Sequence, residues 1–127
     1  MRITMKTVQT NNAPAAIGPY SQAKISGNIV YCSGQIPVNP ATGKIEGKTV
    51  GEQTAQSCKN VAALLQAAGS SIEKVIKTTC FLADIADFGD FNEVYETYFT
   101  TKPARSCVAV KDIPKDALVE IEAIAEI

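Results

Sequence analysis

The last ten residues, LVEIEAIAEI (118–127), constrain the fold most, because apolar and acidic side chains alternate there almost without interruption. Successive side chains of a β-strand point to opposite faces of its sheet, so this alternation predicts a strand with one face in the core. The core face is expected to carry Val119, Ile121, Ala123, Ala125 and Ile127. The opposite face is expected to carry Glu120, Glu122, Ile124 and Glu126.

Other segments have the residue preferences of strands. Residues 22–33 read as two short strands, QAKI and NIVYCS, joined by a turn at Ser26-Gly27. VIKTTCFL (75–82) and RSCVAV (105–110) are rich in β-branched or small apolar residues and predict two more. Between these groups, VNPATGKIEGK (38–48) has the Asn-Pro and Thr-Gly pairs that are typical of turns.

Two segments predict helices. Thr49 and Glu52 have the spacing of a capping box, and Gly69 supplies a C-terminal stop. The apolar face of this helix is formed by Val50, Ala55, Cys58, Val61, Ala62, Leu65 and Ala68. A second helix is expected from about Phe88 to Phe99. Its apolar stripe, interpreted as core, is formed by Phe88, Phe91, Val94, Tyr95 and Tyr98.

The resulting order, β-β-α-β-α-β-β, predicts a single α+β domain over residues 1–127. Two helices can cover one face of a sheet of five or six strands, but not both. The other face is part apolar and part charged, so we expect a homo-oligomer to bury it.

The composition excludes several classes of function. Twelve basic and thirteen acidic residues give a net charge of −1, so the chain lacks the excess of positive charge that is typical of proteins that bind nucleic acid. The chain has no histidine, so Ser-His-Asp triads and Cys-His pairs are excluded and most catalytic zinc sites with them. Neither a secretion signal nor a stretch of about 20 apolar residues is present, which favours a cytoplasmic protein without a membrane span.

The four cysteines, Cys32, Cys58, Cys80 and Cys107, form no CxxC pair, so neither a metal site nor a redox motif is expected. Three of them lie in apolar runs, where a free cysteine behaves as a small hydrophobic residue in a reducing compartment. Cys107 is the exception, because it follows Arg105 by two residues and shares its face of the strand.

Arg105 and Glu120 are the first candidate site residues. The fork of donors on Arg105 matches a carboxylate, but a charge that protects an edge strand explains it equally well. Glu120 lies opposite the core face of its strand and could deprotonate a water. A solvated glutamate is the favoured interpretation from the strand pattern alone.

Two further segments could position a ligand. NAPAAIGPYSQA (12–23) is stiffened by two prolines and could hold the phenol of Tyr20, although such a tyrosine can also anchor a loop. SGQIP (33–37) follows a strand, and its glycine would allow a close backbone approach to a ligand. A plain turn explains this segment as well.

Taken in order, NAPAAIGPYSQA, SGQIP, KTTCFL, KPARSCVAV and IPKDALVEIEAIA resemble the Rid family of reactive enamine/imine deaminases, also called the YjgF family. The resemblance covers nearly the whole chain. It implies a chorismate-mutase-like α+β fold with a mixed sheet and two helices on one face. It also implies a homotrimer whose three sites lie in the clefts between subunits.

The resemblance assigns Arg105 to the substrate carboxylate and Glu120 to the attacking water. Its implied pocket lining is Tyr20, Ser33, Gly34, Asn92 and Cys107, the last through its main chain. The implied substrates are 2-aminoacrylate and 2-iminobutyrate, hydrolysed to 2-keto acids and ammonia without metal or cofactor. Two alternatives stay open: an endoribonuclease or translation inhibitor, and a non-enzymatic trimer that binds metabolites or acts as a chaperone.

Overall fold

The computed structural model describes residues 5–127, and within them eight strands and two α-helices are formed. The strands are β1 (Lys6–Val8), β2 (Ala23–Ser26), β3 (Ile29–Gln35), β4 (Val38–Asn39), β5 (Lys44–Ile45), β6 (Val75–Leu82), β7 (Ala104–Ala109) and β8 (Val119–Glu126). The helices are α1 (Val50–Ala67) and α2 (Phe88–Tyr98). Single 3₁₀ turns lie at Ile72–Lys74, Ile85–Asp87 and Pro114–Asp116.

The C-terminal strand β8 lies inside a six-stranded sheet of order β1-β2-β3-β8-β6-β7. Neighbouring strands are antiparallel except β6 and β7, so the sheet is mixed as predicted. The alternation in β8 is confirmed, since Val119, Ile121, Ala123 and Ala125 are buried. The core position predicted for Ile127 was wrong: its main chain still donates a hydrogen bond to the Asn28 carbonyl at 2.8 Å, but it lies beyond the end of β8 and its side chain is 39% exposed.

Helix α1 begins and ends where its sequence predicts. The Thr49 hydroxyl accepts a hydrogen bond from the Glu52 main chain, and the Glu52 carboxylate accepts one from the Thr49 main chain, each at 3.1 Å. Gly69, at φ +85°, takes the left-handed conformation that ends the helix. α1 packs on β3, β8 and α2, and both helices cover the same face of the sheet. This is the predicted α+β architecture.

Three features depart from the prediction. Strand β1 was not foreseen, and the turn-rich segment 38–48 contains the short hairpin of β4 and β5. Phe88 was assigned to the core stripe of α2, but it is 38% exposed because it lies at the open first turn of the helix. Phe91 and Tyr95 of the same stripe are buried as predicted.

Strand β3 contains a bulge at two of the predicted site residues. Cys32 pairs with Ala123 of β8, but the next pair joins Gln35 to Ile121, so β3 carries one extra residue between them. Ser33 and Gly34 occupy this irregular stretch. Ser33 lies inside β3, as the predicted strand NIVYCS had it. Gly34 also lies inside β3, whereas the sequence had placed it after the strand.

No helix within residues 5–127 combines the length and apolar character that a membrane crossing requires.

Candidate active site

Arg105 lies on β7, the edge strand of the sheet, where it pairs with Thr78 of β6. Thr78 is buried on the face that the helices cover, so the Arg105 side chain projects toward α2. Its Nη1 donates a hydrogen bond of 2.8 Å to Oδ1 of Asn92. The predicted site residues Arg105 and Asn92 are thus in direct contact.

Three aromatic rings of α2 surround the guanidinium. Its central carbon lies 4.8 Å from the ring centroid of Tyr95, 5.5 Å from that of Phe88 and 5.9 Å from that of Phe91. Rings at this range attract a cation through their quadrupole without neutralising it. The amide of Asn92 is also neutral, so these four contacts hold the guanidinium and leave its positive charge available.

A cavity of about 340 Å³ opens beside these residues, and we call it the arginine pocket; its lining includes Asn92, Tyr95, Lys102 and Arg105. Lys102 takes a left-handed backbone conformation at φ +56° just before β7. The pocket therefore presents two cations, one of them fixed by its neighbours, and one carboxylate, that of Glu96. The cations outnumber the carboxylate, and the fixed guanidinium has the paired donors that suit a small anion.

Cys107 follows on the same face of β7 and is half-buried. Burial raises the pKa of its thiol, and the nearby Arg105 charge only partly opposes that rise. The thiol is therefore protonated at neutral pH and is a poor nucleophile. The other three cysteines are buried in the core as predicted, and burial raises the pKa of Cys32 and of Cys80 to about 12.

Glu120 lies on the opposite face of the sheet. It pairs with Phe81 of β6, three residues from Thr78, so its side chain projects to the face that carries no helix. Its carboxylate passes over Gly34: a methyl group added at Gly34 would stand 2.1 Å from Oε2 of Glu120. A larger residue at this position would force the Glu120 side chain to move, although the backbone conformation of Gly34 itself does not demand glycine.

Burial, with a smaller contribution from the charge of Glu122, raises the pKa of the Glu120 carboxyl. A cavity of about 460 Å³ opens over this carboxyl, and we call it the glutamate pocket; its lining includes Ile17, Tyr20, Ser33, Gly34 and Glu120. A half-buried carboxylate with a raised pKa is a stronger base than a solvated one.

Two of the predicted lining residues are fixed by local hydrogen bonds. The phenol oxygen of Tyr20 accepts a hydrogen bond of 3.3 Å from the Ile17 main chain. The Ser33 hydroxyl donates one of 2.6 Å to the Ser21 carbonyl. Behind them, the buried side chain of Gln22 donates to the Thr10 carbonyl at 3.0 Å and accepts from the Thr10 main chain at 2.8 Å. Gln22 also donates to the Pro14 carbonyl at 2.8 Å, so it links the stiff segment that precedes Tyr20 to the main chain at Thr10.

The predicted site residues thus fall into two groups. Tyr20, Ser33, Gly34 and Glu120 line the glutamate pocket, while Arg105, Asn92 and Cys107 lie together on the helix side. Because the β-sheet separates the groups, Arg105 and Glu120 of one chain do not face a common cavity. The sequence patterns missed Phe88 and Tyr95 as neighbours of Arg105, although their spacing around Asn92 places all three on one helix face.

Comparison with known proteins gives the same family throughout. A family model described as Endoribonuclease L-PSP matches residues 10–127. The chain is 52% identical over 124 residues to the 2-iminobutanoate/2-iminopropanoate deaminase of Escherichia coli (strain K12), covering 94% of this chain and 96% of that protein. It is 52% identical over 124 residues to the Putative regulator AldR of Lactococcus lactis subsp. lactis (strain IL1403), covering 97% and 98%.

A solved structure, described as E. coli TdcF with bound serine, superimposes with a TM-score of 0.92 at 47% identity. The match covers 96% of this chain and 98% of that one. The solved relative thus has the same fold over nearly its full length. The two sequence relatives are named as an enzyme and a regulator, and the family model is described as an endoribonuclease.

Proposed function

The chain belongs to the Rid (YjgF) family, and from that premise we propose that it hydrolyses 2-aminoacrylate and 2-iminobutyrate to 2-keto acids and ammonia. One relative is named for this activity, and one solved relative holds serine, which carries the same α-carboxylate as these substrates. The observation that carries the proposal is the available charge of Arg105, held on three rings and a neutral amide.

Arg105 is proposed to bind the substrate carboxylate. Its guanidinium presents paired donors that match both carboxylate oxygens, which fixes the orientation of the bound acid as well as its position. Holding the carboxylate in this way places the adjacent imine carbon at a set distance from the protein. Positioning alone can contribute much of the reduction in barrier for such a reaction.

Glu120 is proposed to hold the attacking water and to accept its proton. 2-Aminoacrylate is an enamine, and its terminal carbon first takes up a proton from solvent to give the iminium form. The water oxygen then bonds to the iminium carbon, the C=N electron pair moves to nitrogen, and a carbinolamine forms. Collapse of the carbinolamine restores a C=O bond and releases ammonia, which takes up the proton. The iminium carbon is already electrophilic, so a base and an anchored carboxylate are sufficient for this chemistry.

Tyr20, Ser33, Gly34, Asn92 and Cys107 are proposed to line the substrate pocket. β7 is paired on one side only among residues 5–127, so main-chain groups along its outer edge, including those near Cys107, are available to a ligand. The raised pKa of the Cys107 thiol supports a lining role and argues against a nucleophilic one.

We further propose that the protein is a homotrimer and that the arginine pocket of one subunit joins the glutamate pocket of the next. The separation of Arg105 from Glu120 by the sheet supports this arrangement, because one chain cannot supply both groups to one substrate. The uncovered sheet face also carries apolar side chains that association would bury, among them Tyr31 at 49% exposure.

The test couples a threonine or serine dehydratase to this protein and follows the decay of the imine. The wild type is expected to accelerate decay over buffer. Arg105→Lys keeps the charge but loses the paired donors, and kcat/KM should fall about 10- to 100-fold, since a hydrogen bond to a charged group is worth about 1.5–3 kcal/mol. No acceleration by the wild type, or full activity in Arg105→Lys, would overturn the proposal.

The description of the family model favours a second candidate, cleavage of RNA. The net charge of −1 and the absence of histidine argue against it. An RNA-cleaving activity intrinsic to this chain should survive repeated purification and disappear in Arg105→Ala. Loss of cleavage on purification, together with retained imine hydrolysis, would leave the deaminase as the function.

A further inference from the structure

Four side chains on one face of helix α2 contact the guanidinium of Arg105. Phe88, Phe91, Asn92 and Tyr95 are spaced i, i+3, i+4 and i+7, which places them on one face of the helix. All four contact the guanidinium: Asn92 through a hydrogen bond and the three rings through their faces. An arginine on an edge strand would otherwise lose much conformational freedom on binding an anion.

Tyr95 is the nearest of the three rings to the guanidinium, and its phenol is hydrogen-bonded to β6. It is 7% exposed, and it stacks on Phe99 at 4.5 Å and lies 5.4 Å from Phe91. Its phenol shares a hydrogen bond of 2.7 Å with the hydroxyl of Thr78, which is itself buried. The ring can therefore neither rotate freely nor move away from β6.

Thr78 is also the residue of β6 that pairs with Arg105 in the parallel register. Thr78 therefore contacts Arg105 in two ways. Its backbone pairs with the backbone of Arg105, and its hydroxyl holds the Tyr95 ring that lies under the guanidinium.

We propose that Tyr95, held by Thr78, is a positioning residue that fixes the Arg105 guanidinium for a carboxylate ligand. The inference rests on the proposed role of Arg105 but not on the fate of the ligand. It assigns to the carboxylate site a ring and a hydroxyl that lie behind the arginine. Their effect should be specific to the negative charge of the ligand.

The experiment measures calorimetric binding of 2-oxobutanoate and of the neutral 2-oxobutanamide to the whole protein. Tyr95→Leu removes the ring, and the ratio of the two affinities should fall about 10-fold, within the range of a desolvated cation–π contact. Tyr95→Phe keeps the ring, and Thr78→Val removes the hydroxyl; for each, the ratio should fall about 2- to 3-fold, the value of a weak neutral hydrogen bond.

Leu65→Ala is the matched control, because it also removes a fully buried side chain but lies on α1 away from both pockets. It should lower the melting temperature and leave the affinity ratio unchanged. The proposal is wrong if Tyr95→Leu keeps the wild-type ratio, or if acid and amide weaken equally. Should Tyr95→Leu fail to fold, an unchanged ratio in both Tyr95→Phe and Thr78→Val overturns it.

The same measurement separates this proposal from the proposed function. Binding of 2-oxobutanoate that depends on Arg105 and Tyr95, in a protein that does not accelerate imine decay, would support the positioning role and refute the deaminase. In an active enzyme, Tyr95→Leu should raise KM about 10-fold with a much smaller change in kcat, because the interaction stabilises bound substrate and transition state alike.

Discussion

The arginine pocket and the glutamate pocket lie on opposite faces of one sheet and contain charged groups of opposite sign. Arg105 is held in a half-buried position by three rings and an amide, none of which carries a negative charge. Glu120 is destabilised as an anion by burial and by Glu122, which raises its pKa. In the proposed function, the first region binds an anion and the second accepts a proton.

Under the proposed function, neither pocket is a complete site by itself. A carboxylate-bearing substrate needs the cation to be anchored and the base to react, and the sheet of one chain stands between them. Arg105 and Glu120 have different proposed roles and lie on different faces of the sheet, and both facts favour a site formed by two chains. Under the proposed function, each reaction would require residues from two subunits.

The largest expected effect is the loss of kcat when the base of the glutamate pocket is removed. Glu120→Gln keeps the shape of the side chain but removes the base, so kcat should fall about 10²- to 10⁴-fold, the usual contribution of general acid–base catalysis. Binding of 2-oxobutanoate, which depends on Arg105, should change little. Wild-type kcat in this variant, measured in the dehydratase-coupled assay, would remove Glu120 from the mechanism.

Gly34→Ala tests whether Glu120 needs its present position. The added methyl group would stand 2.1 Å from Oε2 and must displace the carboxylate. A misplacement of about 1 Å can cost about 100-fold in rate, and we expect a loss of kcat/KM of that order. The matched control is Gly89→Ala, where an added methyl group meets nothing within 4 Å. Equal activities in the two variants would contradict the prediction.

The smallest expected effect is on pH dependence. The protonated form of Glu120 cannot accept a proton, so activity should fall as the pH drops through a pKa above the ordinary 4.5. Glu122→Gln removes a charge that raises this pKa, so the acid limb of the kcat/KM profile should move to lower pH. Glu126→Gln, in the same strand but outside the pocket, serves as control. A limb that moves upward in Glu122→Gln would contradict the assignment.

Local signals predicted much of the fold. The alternation of β8 and the capping box of α1 each depend on residues that are close together in the sequence, and both are found where expected. The position of β8 between β3 and β6 depends on pairing between distant segments, which no local pattern reports. Ile127 fits the alternation but lies past the last strand pair, so its burial could not follow from the pattern alone.

The candidate site divides in the same way. Arg105 and Glu120 could be selected from strand position and motif, because each lies in a recognisable segment. The room that Gly34 leaves for Glu120 arises from a bulge in another strand, and the ring of Tyr95 under Arg105 arises from helix packing. Both are contacts between distant segments of the chain. The sequence therefore indicated which residues to consider but not that a sheet separates them.

The most direct test of a shared site mixes two inactive variants, Arg105→Ala and Glu120→Gln, by unfolding and refolding them together in equal amounts. If each site takes Arg105 from one subunit and Glu120 from its neighbour, random assembly of a symmetric oligomer leaves about one quarter of the sites intact. We expect imine hydrolysis to recover to about a quarter of the wild-type rate. A mixture no more active than the two variants measured separately would show that the two pockets do not combine across subunits.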